Sequence, residues 1–318
     1  MLLISILLVT IRVGILIEVD SVMVEGRFYL KTNNNWYHAE GEMVFKERGV
    51  YYNGRKIVVG LPVLIRPKQG FLMVNQREYP GDIKVIEGNP GITVINSVGL
   101  EDYVASVVRW EMGRLQRDMV ESLKAQAVCV RTYAVRNRNR LLSGTQDQIY
   151  RGVIHDSVIL DAVRATEGEV ITYNGEIIDA KYHSTCGGRT APPSEVWPVD
   201  DPPYLVSISD DHFCQGSPHF RWHRLIPISL FYEIISRVAG RRIRGPVRMR
   251  LLRGKKSKRL KEIEIGDLKI PGYRFRQIFN LKSQLFKMQI KKDAIIITGW
   301  GWGHGVGMCQ WGAIGMAR

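Results

Sequence analysis

The stretch MVESLKAQAVCVRTYAVRNR, residues 119–138, decides the fold class. Met119, Leu123, Ala127, Val130 and Ala134 recur at spacings of three or four, which predicts a helix that buries one face. Just ahead of it, LEDYVASVVRWEMG at 100–113 gathers Tyr103, Val104, Val107, Val108 and Trp110 on a shorter helical segment. Further upstream the period changes. Residues 11–97 are short apolar runs cut by the turn signals NNNW, NGRK, PKQG, YPGD and NPG, the pattern of a hairpin-rich β region with strands at 50–65 and 71–74. Downstream, 160–166 predicts a short helix. EVITYNGEIIDAKYHS at 169–184 predicts a hairpin turning at Asn174-Gly175, a pair that tolerates positive φ at both central positions. A second amphipathic helix is predicted over 225–237. The expected class is α+β: β-rich, with a central amphipathic helix walling a substrate cleft and a partly inserted basic subdomain. The expected parts are 1–17 as a leader or first strand, 11–97 as the β-rich part, 98–224 as the catalytic core, 225–292 as the basic subdomain and 293–318 as a Gly/Trp-rich cleft block.

The 318 residues are enough for a real core, and no stretch approaches the roughly 20 uncharged apolar residues of a spanning helix, so a peptide and a polytopic membrane protein are both excluded. Lysine and arginine number 45 against 31 acids, and the net charge of +14 favours polyanionic partners such as wall polymer, anionic lipid or nucleic acid. Between 237 and 261 the basic residues run without one acid, either a solvated surface or an anion-binding face. That run lacks the interleaved aromatics that stack bases, so no nucleic-acid partner is expected. Residues 1–17 are apolar but lack a basic n-region and a small-residue cleavage site. They read as an export signal, a membrane anchor or simply a first strand.

Three places carry candidate chemistry. Glu111 follows Trp110, and a carboxyl held against an aromatic wall keeps its proton towards neutrality, as a general acid for glycosidic cleavage must. The alternative is a helix N-terminal carboxylate that offsets the dipole or pairs with Arg114 or Arg117. His183, Cys186, His212 and Cys214 stand in HxxC and HxC arrangements. They suit a tetrahedral zinc site in a reduced chain, a Cys186–Cys214 disulfide in an exported one or, less well, a Cys-His nucleophile. The C-terminal GWGWGHGVGMCQWGAIGMA sets Trp300, Trp302 and Trp311 among glycines, as in a carbohydrate groove, with His304 and Gln310 as its polar groups. It lacks the ending of a nucleotide-binding P-loop. Its alternative is a glycine-rich strand and turn packing tryptophans and His304 into the core.

LEDYVASVVRWEM, ESLKAQAVCVRTYA, YHSTCGGRT with VW and PYL after it, RFRQIFNLKSQLFKM and GWGWGHGVGMCQWGA, in that order, resemble the SpoIID/LytB family, the sporulation stage II protein D group with its amidase-enhancer relatives. The resemblance runs from about residue 98 to the end, with IRVGI near residue 11 similar to the family's opening strand. It implies a lytic transglycosylase that cuts peptidoglycan glycan strands without a cofactor, leaving 1,6-anhydro-muramyl ends, with Glu111 as acid and then base. It also implies substrate contacts from His183, Ser184, Thr185, Gly187, Gly188, Trp302, His304, Gln310 and Trp311. Zinc near the cleft is implied for His183, Cys186 and Cys214, with His212 added from its position. The expected place is extracytoplasmic, in the cell envelope, with glycan strands and a cell-wall amidase or other wall hydrolase as partners, and a membrane only through an N-terminal anchor. The rivals are a non-catalytic enhancer of an amidase and a basic binder of nucleic acid or anionic surfaces. The chain departs from the family pattern at Gly113, where proline is common, and at Cys309, where serine is usual. It also stops at Arg318, short of the usual length, and so reads as truncated.

Overall fold

In the strand Ile92–Gly99 the side chains alternate between buried and partly open positions, with Ile92, Val94, Asn96 and Val98 inward. The same alternation in Thr10–Val19 and Ser21–Thr32 builds a sheet with one apolar face. These features belong to a computed structural model that describes residues 9–32, 35–47, 49–138, 141–144 and 147–318. It divides into two units, Met1–Asp179 and Ala180–Arg318. Among the described residues the fold is mixed, with strands outnumbering six helices. No helix among them is long and apolar enough to cross a membrane.

In the first unit an 11-stranded sheet runs in the order Leu141–Leu142, Thr10–Val19, Ile92–Gly99, Asp82–Glu87, Val63–Pro67, Ser21–Thr32, Asn35–Lys46, Gly49–Tyr52, Arg55–Ile57. Phe71–Val74 and Arg77–Pro80 branch from Ser21–Thr32. Pairing is antiparallel except where Leu141 and Leu142 lie parallel to Val13 and Gly14. Residues 10–17 therefore form the first strand of the sheet, while 1–8 and the turn signal at 33–34 lie outside the described residues. Helix α1 (Leu100–Met112) follows Ile92–Gly99 directly and buries Leu100, Tyr103, Val104, Val107 and Val108. Helix α2 (Val120–Asn137) buries Leu123, Ala127, Val130 and Ala134, four of the five positions read from the period; Met119 falls in the 3-10 turn before it. Each fully buried aliphatic side chain contributes about 1.5–3 kcal/mol.

Arg131 is fully buried on α2 and reaches α1, donating from Nε to Glu101 Oε1 (2.9 Å) and from Nη2 to Glu101 Oε2 (2.7 Å). Helix α3 (Ser157–Ala165) is capped by the side chain of Asp156. The short strands Thr172–Tyr173 and Glu176–Ile177 pair around Asn174 (φ 49°) and Gly175 (φ 84°), the two positive φ angles the hairpin reading requires.

In the second unit Arg221–Pro227, Ala294–Trp300 and Phe286–Ile290 form one three-stranded sheet, and Met249–Arg253, Leu260–Ile265 and Leu268–Pro271 another. Helices α4 (Ile228–Ala239) and α5 (Gly272–Ile278) share their core, where Phe231, Phe275, Phe279 and Phe286 stack. The helix predicted over 225–237 starts later. Leu225 is open and Ile226 buried, a strand alternation, and the helix begins only after Pro227, its N-cap. The last helix, α6, is Gln310–Ala317.

Candidate functional site

Glu111 lies at the C-terminal end of α1, so the reading of it as an N-terminal dipole partner fails: a carboxylate there faces the unfavourable end of the dipole. Arg117 pairs with Asp161 at 3.5 Å. The side chain is half-buried, and a loop laid along α1 fixes it. Tyr103 donates its hydroxyl to Gln148 Oε1 (3.0 Å), the Arg151 N–H donates to Ser106 Oγ (3.1 Å), and the Ile149 N–H donates to Glu111 Oε1 (3.1 Å). Residues 103, 106 and 110 stand on one face of the helix and Glu111 is turned about 100° from Trp110, so the loop spans that face and its edge. Trp110 is 40% exposed, with the Arg151 and Arg109 guanidiniums 4.4 and 5.4 Å from its ring. The residue that precedes Glu111 thus presents an open indole flanked by two cations rather than an apolar wall. The 148–151 loop carries no periodic signal, and sequence reasoning did not find it.

In the second unit the HSTCGG and GHGVGMCQ blocks meet through backbone pairing. Tyr182–His183 runs parallel to Met308–Cys309, with His183 opposite Cys309. Thr185 and Trp302 exchange N–H to O bonds, both 2.9 Å, and Trp311 donates its N–H to Ser184 O (3.0 Å). Ser184, Thr185 and Ser217 link their hydroxyls at 3.2 and 2.7 Å. His183 is buried with Nδ1 3.1 Å from Val306 O; among the described residues its Nε2 has no hydrogen-bond partner. Burial pushes its pKa down to about 3, so the ring is neutral. His304 lies between the rings of His183 (5.4 Å) and Trp197 (5.0 Å), accepts from the Val306 N–H at Nδ1, and is also held neutral by burial. Trp302 is 42% exposed. The His219 ring meets it edge-on at 4.1 Å and the Lys282 ammonium sits 5.7 Å away, an open indole of the kind that stacks on sugars. Gln310 is buried, and Trp311 packs against the thiols instead of opening to a groove. Gly187 turns with φ 75° against Trp300 and Gly301, and Gly188 points its N–H at Cys186 Sγ.

The expected metal set separates. Cys186 and Cys214 come together as free thiols, with sulfurs 3.6 Å apart. Their companions are Asp210 and Cys309, and the four ligand atoms lie within 4.8 Å of one another. His212 is exposed at the start of the 3-10 turn Phe213–Gly216 and bonds Gln215 (2.8 Å); His183 faces Val306 and His304. Cys309 is the thiol of the group whose ionised form is favoured. The Cys186 and Cys214 thiols point at it, with the Cys186 and Gly312 N–H groups (3.1 and 3.3 Å), and hold it down to about 4. Burial pushes Asp210 up to about 6. The zinc that the family resemblance carries suits three thiols and a carboxylate at this spacing better than the two histidines. Sequence reasoning missed Asp210, an ordinary loop acid, and Arg259. Most of the basic run is solvated surface, but Arg259 is fully buried there, donating to Cys186 O (2.7 Å) and Arg189 O (3.0 Å). A cavity of about 710 Å³ in the same unit is lined by Trp197, Tyr273, Arg253, Lys255, Lys256 and Lys261. Beneath it Glu195 anchors the Lys256 and Ser257 N–H groups, both at 2.8 Å.

Residues 88–173 match the family described as Stage II sporulation protein, SpoIID. An uncharacterized protein of Brachyspira hyodysenteriae is 31% identical over 312 residues, covering 93% of this chain and 76% of that protein. Stage II sporulation protein D of Bacillus subtilis is 29% identical over 248 residues, 70% of each chain. The amidase enhancer of Bacillus subtilis is 27% identical over 250 residues, 61% of this chain and 35% of its own length.

Proposed function

The chain belongs to the SpoIID/LytB family and its function is cell-wall related, and from that premise we propose that it cuts peptidoglycan glycan strands as a lytic transglycosylase at the cell envelope. The observation that carries this reading is Glu111, a carboxyl at a helix end with one oxygen fixed by the Ile149 N–H and an exposed tryptophan next to it in sequence. In this reading α1 and α2 form one wall of the substrate groove. The protonated carboxyl gives its proton to the oxygen between N-acetylmuramic acid and N-acetylglucosamine, and that C–O bond breaks. The carboxylate then takes the proton of the muramyl C6 hydroxyl, whose oxygen closes on C1 as a 1,6-anhydro ring. The acid is restored and no water is consumed, so one carboxyl serves both steps. Trp110 offers a face for a sugar ring, and Arg109 and Arg151 on that ring suit the carboxylates of a wall polymer.

Mass spectrometry of the ends released from purified glycan strands tests it. Glu111→Gln should lower anhydro-muramyl product by about 10²–10⁴-fold, the usual worth of a general acid-base group. Product unchanged in that variant refutes the catalytic assignment. The relative named amidase enhancer favours a second reading, a non-cutting stimulator of a wall amidase. That reading predicts no anhydro ends from either protein and a faster amidase in the presence of both.

A further inference from the structure

The loop 254–259, GKKSKR, joins the strands Met249–Arg253 and Leu260–Ile265 and is basic by composition, yet it is fixed like a piece of core. Buried Glu195 accepts the Lys256 and Ser257 N–H groups on its two oxygens, at 2.8 Å each. The Gly254 N–H donates to Arg259 O (2.8 Å), and the buried Arg259 side chain is tied in turn to Arg189 O and Cys186 O. A Cβ at Gly254 would run into the Glu195 carboxyl, so glycine is what lets the acid approach. Burying a carboxylate costs solvation, and a loop that merely held lysines in water would not require it. The same loop closes one side of the cavity of about 710 Å³, a volume ordinary for a small-molecule site. Arg253, Lys255, Lys256 and Lys261 line it against three acids, two of which are already occupied. Glu195 holds the loop, and Asp201 accepts from the Ser194 N–H and hydroxyl (2.7 and 2.8 Å), which leaves Glu262. Among the described residues none of the four cations is in an ion pair. Arg253 donates one N–H to Lys258 O (3.1 Å), and burial lowers its pKa with no carboxylate to oppose the shift. Trp197, braced by the His304 ring at 5.0 Å, and Tyr273 add aromatic faces to the lining. We propose that this cavity binds an acidic sugar, its pyranose ring against the aromatic walls and its carboxylate or phosphate taken by Arg253 and the loop lysines. Cations and aromatics would also suit a nucleotide; the cell-wall function of the chain selects the sugar.

Isothermal titration calorimetry of the full chain at low salt tests it. N-acetylmuramic acid, a carboxylate sugar, or N-acetylglucosamine 6-phosphate, a phosphate sugar, should bind about 10–100-fold more tightly than neutral N-acetylglucosamine, the worth of one hydrogen bond to a charged group. Whichever of the two does so names the source of the anion. Inorganic phosphate, which has no ring to stack, should bind more weakly than that sugar. Lys255→Gln combined with Lys256→Gln leaves the backbone N–H of residue 256 on Glu195 and should remove most of the preference for the acidic sugar. Gly254→Ala keeps every cation but displaces Glu195, and should lower the preference too, which a diffuse cloud of charge would not do. Should Gly254→Ala fail to fold, the double lysine variant still decides, since both side chains are exposed. The proposal is overturned by acidic and neutral sugars that bind alike or not at all, or by inorganic phosphate or adenosine monophosphate that binds as tightly as the acidic sugar. It is equally overturned by a preference that survives the double lysine variant or a folded Gly254→Ala. Every lining residue belongs to the second unit, so each of these outcomes leaves the reading of Glu111 untouched.

Discussion

Glu111 and the thiol group are positioned by opposite means. In the first unit a helix with a buried side-chain face carries the acid, and a loop reaches across by side-chain hydrogen bonds from Tyr103, Ser106 and Glu111. In the second unit the thiol-bearing stretches are backbone paired directly to backbone, with glycine where they approach. Side-chain packing can absorb a displaced methyl group by shifting a rotamer. Backbone pressed on backbone cannot, so the paired stretches that carry the thiols should be less tolerant of added atoms than the end of α1 that carries Glu111.

The sharpest way to break that contrast is Gly307→Ala. Gly307 has φ 73°, and a Cβ there would stand 2.0 Å from Lys181 O, whose carbonyl accepts the Met308 N–H at 3.0 Å. The parallel pair would have to part. Left-handed backbone costs about 1–2 kcal/mol and overpacking about 1–3, so we expect a loss near 3 kcal/mol. Five of the seven tryptophans lie in the second unit, so their fluorescence in a urea titration reads its unfolding. A midpoint within error of the parent protein would show that the pair is loose.

A smaller effect tests how dry that region is. His183 is neutral in the folded chain with a pKa near 3, because burial and the Arg259 charge oppose its proton while Val306 O, Cys214 and Asp210 favour it; the His304 ring faces it as well. The unfolded chain takes the proton near 6.5. A base whose folded pKa is depressed gives stability that is fully present above 6.5 and is lost as pH falls from 6.5 towards 3. At pH 5 the loss attributable to His183 is about 2 kcal/mol. Comparing the fall in stability from pH 7.5 to pH 5 with that of His183→Asn reads it, together with the smaller change in His304, whose proton the His183 charge opposes. Equal falls would mean that water reaches the imidazole.

The same contrast explains what the sequence could disclose. The helix face of α2 was legible because Leu123, Ala127, Val130 and Ala134 must all turn inward, and periodicity is the record of that demand. Asn174-Gly175 was legible because few other pairs adopt its two positive φ angles. Leu225 and Ile226 were misassigned to a helix because two apolar neighbours fit either period, and only Pro227 marks the change. The thiol group was half legible. Cys186 and Cys214 announce themselves by type, but their union with Cys309 follows from a strand pairing across 123 residues that leaves no local trace. Arg259 was hidden for a different reason, since a cation in a basic run looks solvated until a buried group nearby needs its charge.

The mildest prediction completes the comparison by making the same substitution beside Glu111. Gly113 ends α1 with φ 74° and ψ −159°, a φ as positive as that of Gly307, and its N–H donates to Arg109 O at 3.1 Å. The difference lies in the space: a Cβ at Gly113 would meet nothing within 4 Å. Gly113→Ala keeps the N–H and meets no clash, but must hold φ 74° with ψ −159°, a region nearly confined to glycine, so it should cost about 1–2 kcal/mol in a thermal or urea titration followed by circular dichroism. Gly113→Pro should cost more, because proline removes the donor and cannot reach that φ. If Gly113→Ala costs as much as Gly307→Ala, strain rather than backbone contact governs both, and the two units do not differ in the way their sites are held.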